Sequence, residues 1–418
     1  MKKLPPGIRQ TGVLLLAIVL FTLGIAAPAY ALTEEQKYVA EVWRVVDRAY
    51  VDDTFNHQNW WLVRQRALKS SMSTREQAYT TVQQMLAGLD DPFTRLLKPD
   101  QYRSLQTNTS GELTGVGLQI SLDADTGKLR VIAPIAGSPA DRAGIQPADI
   151  ILKIDGQATE GLSLDEAAER MRGQMGSRVI LTVERAGDSV EDLEVTRDRI
   201  SLNPVIADLR AVPQPDSEQR KKVGYIRLSQ FNANATAEVA HAITRLEKQG
   251  AESYILDLRN NPGGLLQAGI EVARLWIDQG TIVYTVNRQG VLGSFESTGQ
   301  ALTQAPLAVL VNQGTASASE ILAGALKDNK RATIVGEKTF GKGLIQSLFD
   351  LSDGSGIAVT VAKYETPAHN DINKLGILPD ITVPLEPITA MQVGTEADNQ
   401  YRAAVQLLTS HSVVAGAS

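Results

Sequence analysis

From Ser201 onward, short apolar runs alternate with segments of helical period, and this constrains the fold more than any other feature of the 418 residues. Residues 223–228, 254–258, 281–286, 307–311 and 333–336 are strand-length runs of Val, Ile, Leu and Tyr. Between them, 236–248, 265–277 and 319–329 repeat apolar positions at the helical period. The strand–helix–strand order predicts crossover connections. An α/β domain is therefore expected over 200–418. Asp353-Gly354-Ser355-Gly356 predicts a hairpin turn between 345–351 and 357–364.

The preceding chain differs in character. Residues 109–199 carry short β-like runs at 116–121, 129–133, 150–154 and 179–184, with one helix at 164–172. Turn residues at Asp155-Gly156 and Ala186-Gly187-Asp188 separate them. Residues 32–108 read as helical, with Val39, Val42 and Val46 at helical spacing and Thr33 with Gln36 as a capping box. Further helices are expected over 60–69 and 73–86, with Pro92 and Pro99 as helix breakers beyond them. Trp60-Trp61 reads as core packing. The whole is a multidomain α+β chain.

Residues 1–31 read as a processing segment. Lys2, Lys3 and Arg9 precede an apolar run, and Ala29-Tyr30-Ala31 fits a small-x-small cleavage site. An uncleaved anchor helix is the alternative. The expected location is across a membrane, with at most peripheral membrane contact. The net charge of −6 with no long basic run argues against a nucleic-acid partner. The chain has no cysteine, which excludes a thiol nucleophile and thiolate metal sites. The histidines His57, His241, His369 and His411 show no metal-ligand spacing, so no metal is expected.

The chemistry concentrates where the run 307–311 enters Asn312-Gln313-Gly314-Thr315-Ala316-Ser317-Ala318-Ser319-Glu320. A strand feeding a turn of small residues and then a helix exposes a side chain beside free backbone N–H groups, which suits a nucleophile and an oxyanion hole. The plain alternative is that Ser317 or Ser319 caps the helix. A base is not obvious nearby. Lys342, between Gly341 and Gly343, is one candidate, because a lysine amine becomes a base near neutral pH when burial lowers its pKa. Gly336-Glu337-Lys338-Thr339-Phe340-Gly341-Lys342-Gly343 almost spells a P-loop. It lacks the final hydroxyl and runs into a strand-like alternation, so no nucleotide is expected. Asp257-Leu258-Arg259-Asn260-Asn261-Pro262-Gly263-Gly264 ends another strand in a turn that exposes N–H groups. It reads as the second half of an oxyanion hole or as a tight turn.

These segments together resemble the carboxyl-terminal processing peptidases, a serine–lysine protease family. Leu89-Asp90-Asp91-Pro92-Phe93-Thr94-Arg95 is similar to the family's N-terminal signature. Thr114-Gly115-Val116-Gly117-Leu118 and Gly137-Ser138-Pro139-Ala140 resemble its PDZ domain. The resemblance implies an N-terminal helical domain over 32–108, an inserted PDZ domain over 109–199 and a crotonase-like (ClpP-type) catalytic domain over 200–418. It implies Ser317 as nucleophile, Lys342 as base and Gln346 as the residue that holds the lysine. It implies an oxyanion hole from Ala318 and one of Gly263 and Gly264. Ser319 and Glu320 become supporting residues, and Asp328 is structural. The loop Gly115, Val116, Gly117 and Leu118 would take a substrate's terminal carboxylate, with Ala168 and Met171 lining the groove. No cofactor is implied.

Tyr364-Glu365-Thr366-Pro367-Ala368-His369 resembles the thylakoid-lumen members of plants and cyanobacteria. The implied location is the thylakoid lumen or periplasm. The implied substrate is the membrane-embedded precursor of the photosystem II D-one protein. His369 reads as a branch-specific structural residue. Two other readings stand beside this one: a PDZ-containing scaffold with an inactive protease fold, and a Ser-His-Asp hydrolase using His241 or His369. The sequence does not fix an oligomeric state.

Overall fold

Leu307–Val311 is buried at every position, as a strand must be when helices cover both faces of its sheet. It lies inside a six-stranded sheet ordered Val205–Gln214, Ser217–Leu228, Ser253–Asp257, Leu307–Val311, Thr333–Gly336 and Ile381–Thr382. The first pair is antiparallel and the remaining pairs are parallel. Period-2 alternation divides its side chains. Leu256 and Val309 pack on one face with the helices Ala235–Lys248, Leu266–Arg274 and Ala318–Asp328 around Trp276. Ile255, Ala308 and Leu310 meet Tyr401, Ala404 and Leu408 of the helix Asn399–Thr409 on the other. Three neighbouring parallel strands, Ser253–Asp257, Leu307–Val311 and Thr333–Gly336, end on the same side of the sheet, where open α/β sheets bind ligands.

This computed structural model describes residues 32–410 except 124–125, 136, 186–188 and 215–216. The expected export signal at 1–31, His411 and the Ala186-Gly187-Asp188 turn lie outside the described residues. The chain divides into two compact units. One holds the described residues up to 96 together with 348–359. The other holds 97–347 and the described residues from 360.

The first unit contains the helices Glu34–Ala49, Trp60–Lys69 and Arg75–Ala87. Residues 348–359 are the tip of the hairpin Leu344–Asp350/Gly356–Glu365 and group with these helices. Leu351, Ile357 and Val359 of this segment are buried, and polar contacts add to that packing. Tyr38 Oη lies 2.7 Å from Ser355 Oγ, Tyr79 Oη donates to Asp353 at 2.8 Å, and Arg75 stacks over the Tyr38 ring. Two expectations fail, one in each unit. Trp60 is core, 4% exposed, but Trp61 is 58% exposed, because consecutive helical residues point about 100° apart and only one can face inward. Pro99 does not break a helix but begins one, Pro99–Ser110, where its missing N–H costs nothing.

Within the second unit, five antiparallel strands form a separate sheet ordered Leu118–Leu122, Leu129–Pro134, Ile150–Ile154, Arg178–Glu184 and Val190–Thr196, with Gln157–Ala158 pairing Ile150–Ile154. Leu118–Leu122 is an edge strand, and the helix Leu164–Met171 packs beside it. Thr281–Asn287, expected among the crossover strands, instead pairs antiparallel with Gly290–Glu296 and Gly356–Glu365 in another sheet. An apolar run shows that a strand is buried but not in which sheet.

Candidate active site

The loops after the three parallel strands build one site. After Leu307–Val311 the chain turns through Asn312–Ser317 under tight local control. Asn312 N–H donates to Thr315 Oγ1, and Thr315 Oγ1 donates across to Leu258 C=O at 2.9 Å. Ala316 N–H donates to Asn261 C=O at 3.0 Å. Asn312 and Asn260 exchange two bonds, at 2.9 and 3.0 Å. The turn delivers Ser317 at φ 57°, ψ −118°, a backbone region costly for a side-chain-bearing residue. Ser317 is half-buried at the N-terminus of the helix Ala318–Asp328. A serine held on a sharp strand-to-helix turn is the geometry of an exposed nucleophile. Ser319, the other candidate, is wholly buried and donates to Asn261 C=O at 3.0 Å, so it fastens the two loops together.

Against Ser317 lies the Pro262-Gly263-Gly264 turn. A Cβ at Gly263 would stand 2.8 Å from Ser317 Cβ and 2.9 Å from Ala318 N, and its φ is 94°, so only glycine fits. Gly263 N–H donates to Asn261 Oδ1 at 2.9 Å. A Cβ at Gly264 would run into Phe231 C=O at 2.2 Å. Ala318 occupies the first helical position, where backbone N–H groups lack intrahelical acceptors.

Lys342 arrives from the loop after Thr333–Gly336. Its glycine neighbours have a steric reason. A Cβ at Gly343 would stand 2.4 Å from Asn373 N, and Gly341 packs on Lys374, whose N–H donates to Gly341 C=O at 2.8 Å. The residue that joins the lysine loop to the serine turn is Glu320, which is wholly buried. One carboxylate oxygen accepts from Ser317 N–H at 2.9 Å and Lys342 N–H at 2.8 Å. The other accepts from Thr339 Oγ1 at 2.6 Å and Gly341 N–H at 2.7 Å. Four bonds satisfy a buried carboxylate and fix the two backbones to one point. The sequence marks Glu320 only as a supporting residue, because its partners are mostly backbone groups that leave no local pattern.

Tyr364 closes the site. It is 1% exposed, its hydroxyl donates to Lys342 C=O, and its N–H donates to Gly343 C=O at 3.1 Å. Burial and the Glu320 charge push its phenol well above the usual tyrosine range, against the opposing effect of a hydrogen bond with the Ser317 side chain. Gln346 is half-buried on Leu344–Asp350, and its amide donates to Thr360 Oγ1 at 3.5 Å. That segment is a strand, not the helix a P-loop requires. His369 is elsewhere engaged: its exposed ring stacks on Tyr284 with centroids 4.2 Å apart, and Nδ1 lies 3.0 Å from a Glu365 oxygen. His241 is on the exposed side of Ala235–Lys248. Asp328 accepts from Ala368 N–H at 2.9 Å, a structural bond.

Behind the glycine turn sits a buried ion cluster that the sequence did not reveal. Arg259 donates to Asp257 at 2.9 and 2.7 Å and to Asp398 at 2.9 and 2.7 Å, and Gln400 accepts at 3.1 Å. Tyr225 Oη donates to Asp257 at 2.7 Å. Asp398 also takes N–H bonds from Gly394, Gln400 and Tyr401. Burial raises the Asp398 carboxyl, but Arg259 and these bonds outweigh it and hold the group below its ordinary value. A depressed carboxyl contributes stability above its unfolded value of about 3.9, and that stability is lost as pH falls through the folded value. Asp398→Asn leaves Arg259 half-paired and is expected to cost about 3 kcal/mol near neutral pH. Denaturant titrations of the two proteins should converge as pH falls below about 4. Equal stability at neutral pH would show that the cluster contributes nothing.

Gly115, Val116 and Gly117 are buried and Leu118 is half-buried where the loop enters the edge strand. A Cβ at Gly117 would lie 2.3 Å from Ser138 Cβ, and its φ is 81°. Ala168 is half-buried, while Met171 is 4% exposed and packs in the same core as Val116.

Residues 222–383 match the description "Peptidase family S41", and residues 130–185 match "PDZ domain". The chain is 60% identical over 402 residues to the carboxyl-terminal-processing protease of Picosynechococcus, covering 96% of each protein. It is also 60% identical over 402 residues to the carboxyl-terminal-processing protease of Synechocystis, covering 96% of this chain and 93% of that one. Among solved structures, it is similar to a photosystem II D1 C-terminal processing protease, with TM-score 0.55, 46% identity, and coverage of 84% of this chain and 94% of that one. With its serine turn, lysine loop and PDZ domain, the chain belongs to peptidase family S41 and is a carboxyl-terminal-processing protease.

Proposed function

We propose that Ser317 and Lys342 carry the reaction, and that the substrate is an exported protein with a C-terminal extension, the photosystem II D1 precursor of its relative being the leading candidate. The observation that carries this reading is the shared Glu320 oxygen, which holds the Ser317 and Lys342 backbones together beside a strained serine. Neutral Lys342 takes the Ser317 hydroxyl proton as Oγ attacks the scissile carbonyl. The new oxyanion accepts from Ala318 N–H and from the glycine turn. Gly263 N–H is engaged by Asn261, which leaves Gly264 as the donor of the pair. As the peptide C–N bond breaks, the Lys342 ammonium returns the proton to the leaving amine. Water then attacks the acyl-enzyme, with Lys342 again as base. Gln346 orients the lysine stem from the adjoining strand.

The edge strand Leu118–Leu122 would take the substrate's last residues as an added strand, with the 115–118 loop on the terminal carboxylate. Export to the thylakoid lumen or periplasm fits this substrate. Among the described residues no helix is long and apolar enough to cross a membrane.

The test compares cleavage of a precursor with a free C-terminus and one whose C-terminus is amidated. Losing a charge-assisted carboxylate contact should raise KM about tenfold or more and move kcat less. Equal KM for both would remove the terminal carboxylate from recognition. The scaffold reading predicts binding of either peptide with no product.

A further inference from the structure

The exposed Trp61 is the outward half of a short amphipathic surface, and it goes beyond the reading of the protease site. On the helix Trp60–Lys69, Trp60 and Ala67 face inward, while Trp61 is 58% and Leu62 42% exposed. Leu62, Arg66 and Lys69 follow at i, i+4 and i+7, so they share one face, and both cations are exposed. Arg64 stacks 5.4 Å over the Trp43 ring beside them. Between Asp53 and Glu76 the chain has no carboxylate but carries Arg64, Arg66, Lys69 and Arg75, against a net charge of −6 for the whole.

We infer that this helix face docks the protease on an anionic lipid surface. Exposed indole and leucine side chains at adjoining positions, with cations flanking them and no carboxylate in the chain between Asp53 and Glu76, match the composition of surfaces that lie on anionic lipid. The charge argues against a second copy as the occupant, because two such faces meeting about a two-fold axis would oppose cation to cation. Tryptophan, amphipathic and suited to the headgroup layer, favours lipid over an acidic protein. Two apolar side chains and a few cations give weak, reversible attachment, which lets the enzyme scan a membrane that holds its substrate.

The test is co-sedimentation of the whole protein with vesicles containing phosphatidylglycerol and with vesicles of phosphatidylcholine alone. The wild type should partition at least about tenfold better onto the anionic vesicles, and salt near 1 M should abolish the difference. The double variant Trp61→Ser, Leu62→Ser and the variant Arg66→Glu should each lose this partition about tenfold while cleaving a soluble peptide at the wild-type rate. No partition of the wild type, equal partition onto both vesicles, or unchanged partition of the variants overturns the inference. So does self-association of the wild type that the double variant abolishes, since the face would then join two copies of this chain.

Discussion

Lys342→Ala is expected to lower kcat for C-terminal cleavage by about 10²- to 10⁴-fold, the usual contribution of a general base, and to leave thermal stability close to wild type. The two halves of this expectation rest on different atoms. The backbone bonds that seat the loop, Lys342 N–H to Glu320 and Tyr364 Oη to Lys342 C=O, survive the loss of the side chain. Only the amine disappears. If the proposed base acts, the wild-type rate should rise with pH, and the variant's residual rate should not follow the same rise. Replacing His369 should leave the rate near wild type, since its ring is held by Tyr284 and Glu365. A Lys342→Ala protein that keeps wild-type kcat would remove the base from the mechanism.

Glu320→Gln should be clearly damaging although it keeps the side chain's shape, and that loss separates a clasp from a space-filling side chain. The carboxylate faces only donors: three N–H groups and the Thr339 hydroxyl. A glutamine keeps the shape but turns an NH₂ group toward two of them; in the less costly orientation it faces Thr339, whose hydroxyl can accept, and Gly341, whose N–H loses its acceptor and meets another donor. A buried unsatisfied group costs about 1–3 kcal/mol, so the glutamine variant is expected to lose about that much. A further fall in kcat of about 100-fold is expected from displaced reacting groups. Urea unfolding and kcat on a soluble peptide check both figures. Wild-type values for Glu320→Gln would show that the clasp holds nothing.

Much of the catalytic sheet is legible because its strands are continuous apolar runs, and 307–311 and 333–336 can be bounded from sequence alone. The serine turn is legible for a related reason: small residues between a strand and a helix leave few other geometries. The features that stay hidden are long-range or backbone-mediated. Asp398 meets Arg259 across 139 positions, so no local pattern marks it. Glu320 works through N–H groups, and Tyr364 through a carbonyl. Trp60 and Trp61 are identical letters with opposite fates, which only the packing of neighbouring helices decides. Pro99 reads as a breaker because the same residue that ends one helix is also suited to start the next.

The most direct test is intact-mass analysis of a C-terminally extended precursor incubated with the protein from Leu32 onward, beside Ser317→Ala, Lys342→Ala, His241→Ala and His369→Ala. The wild type and both histidine variants are expected to release one C-terminal fragment. Folded Ser317→Ala and Lys342→Ala are expected to release none within the same time. Wild-type cleavage by Lys342→Ala, or loss of cleavage in a folded histidine variant, would contradict the serine–lysine mechanism.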